Sequence, residues 1–197
     1  MYPYNHKMGQ KIQTSAPGVV CDRGFIAHYH IDDSDNEVAA TDSIIAAVTL
    51  GTGVTVTKQA AALDGEPKCA MVLTITGNQA TAVGDVVITG KDIAGAPITE
   101  TIVSTGAATV TGTKAFAFID SIVFPARGAA GDTIAVGMSD KFGLPYLLPY
   151  NTVLAIYNNK VATTVAAGSF STTELCKNFL DPTAALGGSD IDVYLIV

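Results

Sequence analysis

The 197-residue chain is 48% hydrophobic and only 15% charged, with a formal net charge of −7 and no tryptophan. A chain of this length buries roughly 70% of its extended surface on folding, so a conventional apolar core is available to it. An acidic chain with few cations lacks the clustered Lys and Arg needed for counterion-release binding to nucleic acid, and no apolar run approaches the roughly 18 residues of a membrane helix.

The charge is uneven along the chain. Residues 1–24 carry Lys7, Lys11 and Arg23 against Asp22, a net of +2, which leaves −9 for residues 25–197. This first segment mixes Tyr, Pro, Gly, Lys and Gln without sustained period 2 or 3.6, which fits an extended arm or a loose tail rather than a core element. Tyr2, Tyr4, Lys7 and Lys11 are the candidates for contacts with a partner or a neighbouring subunit. The opening "MYPYNHKMGQKI" has no apolar signal-peptide core, so a soluble, unsecreted protein is expected. Three cysteines, Cys21, Cys69 and Cys176, form no CxxC pair, and their odd number leaves at least one thiol free or paired between chains.

From Phe25 the pattern alternates. "FIAHYHID" puts Phe25, Ala27, Tyr29 and Ile31 on one face and Ile26, His28, His30 and Asp32 on the other, the signature of a half-buried strand. The following "DDSDNE" reads as a solvated acidic loop. It resembles the start of a calcium loop but lacks Gly at the sixth position, and its twelfth position is Ile44 rather than Glu. "NEVAATDSIIAAVTL" is the best helix candidate, because Val38, Ile45 and Val48 recur at near-helical spacing, although its end could be strand.

Beyond it, short strand candidates follow one another: "VTVTK", "CAMVLTIT", "DVVITG", "ITETIV", "KAFAFIDSIVF", "DTIAVGM", "TVLAIYN", "KVATTVAA" and "IDVYLIV". Gly, Asn, Asp or Pro punctuates nearly every gap, which predicts a mainly β fold. We expect a sandwich or barrel-like domain over 25–197, whole or in two subdomains, with an extended arm at 1–24 and at most one or two short helices. In "VVITGKDIAGAPITETI" a hairpin loop is expected at 91–96, with Asp92 in an Asx-type turn, Gly95 at positive φ and Pro97 opening the second strand. Strict alternation would place Asp120 on the apolar face of Phe116, Phe118, Ile122 and Phe124, so a bulge is expected there. Glu100 shares a face with Ile98 and Ile102, which suggests a sheet edge or a subunit contact with a partner cation.

His28, His30 and Asp32 have a spacing that metal sites use, but a fourth ligand would have to come from elsewhere. Solvent-facing or interfacial polar residues are the favoured reading, with no metal and no cofactor expected. No G-x-S-x-G, Walker or dinucleotide fingerprint occurs, and the phenylalanines lack the interleaved basic residues of a nucleic-acid surface. A non-enzymatic protein is therefore expected.

The blocks "PKCAMVLTITG", "GDVVITGKDIAGAPITETI", "VTGTKAFAFIDSIVFPA" and "GDTIAVGMSDKFGLPYLLP", between residues 67 and 150, carry a resemblance. With the closing "FLDPTAALGGSDIDVYLIV", they resemble virion structural proteins of tailed bacteriophages, most of all head decoration or cement proteins. The resemblance implies a β-rich homo-oligomer, a trimer preferred over a dimer, that binds the major capsid protein on the capsid exterior after synthesis in the bacterial cytoplasm. It implies no nucleic-acid or membrane partner. A head-fibre base or tail protein is the alternative within the virion. A carbohydrate-binding or carbohydrate-acting β-sandwich, with His28, His30 and the acidic loop as its site, is the rival outside it.

Overall fold

Alternation of apolar and polar residues across Gly- and Asp-punctuated turns builds the architecture of this chain. A computed structural model describes residues 11–13, 16–17, 20–22, 24–35 and 38–197. Strands β1 (Lys11–Gln13) and β2 (Val20–Asp22) pair antiparallel as a separate ribbon. The described part of the expected arm is thus a short hairpin. Only the backbone of Lys11 is described, and Tyr2, Tyr4 and Lys7 lie outside the described residues.

The other strands form three antiparallel sheets. One contains, in spatial order, β5 (Val56–Gln59), β10 (Phe118–Phe124), β7 (Val83–Lys91) and β8 (Pro97–Thr105). The second runs β14 (Val165–Ser169), β15 (Phe179–Pro182), β11 (Thr133–Gly143), β6 (Met71–Gly77) and β9 (Thr109–Phe116), and β4 (Ala40–Thr49) also pairs with β11. The third is β13 (Val161–Thr163), β12 (Val153–Asn158), β16 (Ile191–Ile196) and β3 (Ile26–Ile31). Among the described residues, helical structure is confined to two 3-10 turns, Ala60–Ala62 and Leu175–Lys177. The expected mainly β class, in a sandwich or half-barrel-like arrangement, is what the chain adopts.

One contiguous apolar cluster joins the three sheets. Phe116, Ile122 and Phe124 meet Ile75, Ile134 and Val193 within it, all fully buried. Each such side chain contributes about 1.5–3 kcal/mol relative to exposure.

The expected hairpin forms as read. β7 and β8 pair from Val83↔Thr105 to Lys91↔Pro97. Asp92 Oδ1 accepts the N–H groups of Ala94 and Ala96, both at 2.9 Å, and Gly95 has φ +79°. The bulge at Asp120 is present as well, since Ile119 pairs with Gly90 but Ser121 with Thr89. It buries Ile119 and Ile122 on the same side, leaving Asp120 and Phe118 half-buried.

The helix expected around 36–50 is instead strand β4. Its ladder with β11 shifts register twice, so Val136 opposes Ile45 while Met138 opposes Ala40. Those irregularities break the period of two, and the buried residues fall at Ile44, Ile45 and Val48, one helical turn apart. Long-range pairing therefore imitated a local helical signal. Asp64 secures the distorted stretch, its Oδ2 accepting Ala46 N–H at 2.8 Å while its own N–H donates to the Ile44 carbonyl at 2.9 Å. Gly137 permits the approach of the two strands, because a Cβ there would lie 1.8 Å from the Ala40 carbonyl oxygen.

Candidate functional site on the outer face of β3 and β16

β3 alternates as its sequence predicts. Ala27, Tyr29 and Ile31 turn towards the core, and Ile26, His28 and His30 are exposed. On β16 the same period buries Ile191, Val193 and Leu195 and turns Asp192, Tyr194 and Ile196 outward. Antiparallel register then matches the two outer rows pair by pair: His30 with Asp192, His28 with Tyr194, Ile26 with Ile196. The result is one face graded from carboxylate and imidazole, through aromatic, to aliphatic.

At the polar end, Asp192 Oδ1 sits between two rings, 2.6 Å from His28 Nε2 and 2.9 Å from His30 Nδ1. The His28 ring stacks on Tyr194 at 4.6 Å between centroids, and Tyr157 from β12 meets Tyr194 edge-on. This aromatic support limits the orientations open to His28. His30 is also grouped with Asp32 and Asp190, their ligand atoms all within 4.8 Å of one another. The loop beyond β3 is held locally, with Asp32 Oδ1 accepting the N–H and hydroxyl of Ser34 and Asp190 Oδ1 accepting the N–H of Asp33.

The electrostatics follow from these contacts. The hydrogen bond to Asp192 raises the His30 pKa above its ordinary value; desolvation opposes this, and the charges of Asp192, Asp190 and Asp32 add to the rise. Asp192 is held below the usual carboxylate range by the hydrogen bonds from His28 and His30, against desolvation. Asp32 is lowered by the Ser34 hydroxyl and amide, whereas Asp33 is pushed up by the adjoining Asp32.

At the apolar end, Ile26 is 68% exposed and Ile196 41%. Beside them Leu147, Tyr150, Ile196 and Val197 line an open groove of about 290 Å³, against which Gly24 also lies. Gly24, just before β3, therefore sits at the apolar edge of this face. Gly24 fits there because a Cβ would come within 2.5 Å of Ile196 Cγ2.

Of the residues singled out by sequence, His28 and His30 converge, but through Asp192 rather than Asp32, which groups with His30 and Asp190. Asp190 and Asp192 were missed. Their one signal is the alternate-carboxylate run "SDIDVY" leading into the last strand, which gives that strand a polar outer face matching the His-x-His of β3. Glu100 lies elsewhere, on the edge strand β8. It is buried, and its Oε1 accepts the N–H and hydroxyl of Thr113 on β9 of the same chain. Cys176 is buried and its thiol pKa is raised by desolvation.

Fold and site together define a mainly β protein that presents a polar-to-apolar sheet face on β3 and β16. Compared with known proteins, the chain matches no family model, no curated protein and no solved structure.

Proposed function

We propose that this chain is a non-enzymatic decoration protein of a tailed-phage head, binding the outer surface of the capsid shell and reinforcing it as a symmetric oligomer, a trimer preferred. The observation that carries the reading is the exposed aliphatic and aromatic cluster of Ile26, Leu147, Tyr150 and Ile196 beside Gly24. A contiguous apolar surface rimmed by polar groups marks a protein interface more often than a small-molecule site. The resemblance of residues 67–150 to head decoration proteins supplies the partner, the major capsid protein. Many copies making modest contacts on a repeating shell hold firmly through avidity, so no single deep site is required.

The test is addition of the purified full chain to emptied, expanded phage heads, read as co-sedimentation and as the melting temperature of the heads. Saturable binding with a raised head melting temperature is expected, and Leu147→Asp with Tyr150→Asp should weaken it at least about tenfold, the effect of losing a central apolar anchor. Failure to bind heads, together with binding to tails or to a glycan, overturns the reading.

A further inference from the structure

We propose that the imidazoles of His28 and His30 and the carboxylate of Asp192 form a binding site for a divalent transition-metal ion of the zinc type. The two ring nitrogens and the carboxylate oxygen lie within 4.8 Å of one another, on paired strands whose inner faces are fixed in the core.

Zinc takes nitrogen and oxygen ligands at about 2.0–2.2 Å in a tetrahedron, which separates ligand atoms by roughly 3.3 Å. The present N···O separations of 2.6 and 2.9 Å need only small side-chain rotations to admit the ion between them. Two imidazoles select zinc, cobalt, nickel or copper over calcium and magnesium, which prefer oxygen alone. The fourth position falls to water.

Loading exchanges protons for metal. A neutral ring that donates its N–H to Asp192 shifts that proton to its other nitrogen and presents the lone pair, whereas an imidazolium releases one proton to solvent. The stacking of His28 on Tyr194 gives that ligand its orientation before the ion arrives. Once bound, the ion ties β3 to β16 across their outer face.

The experiment is titration of the chelator-treated full chain with zinc chloride by calorimetry, with calcium chloride in parallel. It includes the variants His28→Gln, His30→Gln and Asp192→Asn and the His28→Gln/His30→Gln pair. One zinc per chain is expected, no heat from calcium, and a loss of affinity of at least about tenfold for each single variant. On the unsubstituted chain, imidazole nitrogen NMR should show His28 and His30 moving together while His6 stays in place. Zinc affinity unchanged in the paired variant, equal binding of calcium, or shifts confined to His6 would each overturn the proposal.

Discussion

Glu100 Oε1 accepts the backbone N–H of Thr113 at 2.5 Å, a bond from edge strand β8 of one sheet to β9 of another. Thr113 lies where the β6–β9 ladder shifts register, between Val72↔Ala115 and Thr74↔Thr111, so its N–H looks outside the ladder for an acceptor. Gly112 leaves room for this, since a Cβ there would stand 2.6 Å from Glu100 Oε2. A buried carboxylate thus fastens two sheets together.

Glu100→Ala should destabilise the chain by about 2 kcal/mol, because the Thr113 N–H and hydroxyl both lose the carboxylate oxygen they donate to. Glu100→Gln keeps an acceptor oxygen and should cost less. Urea unfolding of the three proteins checks the order, and equal losses for the two variants would show that the carbonyl oxygen is not what matters.

Gly137→Ala should separate β4 from β11, costing about 1–3 kcal/mol by overpacking, as the added methyl meets the Ala40 carbonyl. Hydrogen exchange locates the effect. The amides of 40–48 should lose protection while those of the β7–β8 hairpin keep theirs.

Asp132 joins the turns at one end of the body. Its Oδ1 accepts from Gln79 Nε2 and Thr81 Oγ1, and its Oδ2 from the N–H groups of Gly128 and Ala129. Desolvation pushes its pKa up, but the bonds from Thr81, Ala129, Gln79 and Gly128 outweigh it and hold the carboxyl below its ordinary value. A lowered folded-state pKa means that this contribution is full above the unfolded value of about 3.9 and is lost as pH falls through the lower folded value. Melting temperature measured downward from pH 5 should therefore fall more steeply for the native chain than for Asp132→Asn. The variant should start lower at pH 7, because an amide N–H₂ cannot accept from Gly128 and Ala129.

For His30 the sign is reversed. Its raised pKa contributes stability that is full below about pH 6.5 and is lost as pH rises through the folded value. The groups that set it are Asp192, Asp190 and Asp32. NMR titration in the presence of chelator should place the His30 midpoint above the ordinary imidazole value of about 6.5, and Asp192→Asn should bring it down. An unmoved midpoint in Asp192→Asn would refute the assignment of the hydrogen bond as its main cause.

Features set within a few residues were legible in the sequence. The Asp92–Gly95–Pro97 hairpin, the outward row of His28 and His30, and the bulge at Asp120 each follow from local turn chemistry or from period 2. Features set by pairing at a distance were not. Val38, Ile45 and Val48 recur at near-helical spacing, but the bulges that bring Ile44, Ile45 and Val48 to one side belong to the β4–β11 ladder. The carboxylate completing the His28–His30 pair sits at Asp192, 162 residues beyond His30.

The sequence by itself determined that this is a mainly β protein with an acidic body, because alternation, turn residues and charge are properties of neighbours along the chain. Only the tertiary structure decided which strand lies beside β3 and in what register. That choice depends on burying Ile31, Ile191, Val193 and Leu195 in one core, and it is what sets His28, His30 and Asp192 around a single point.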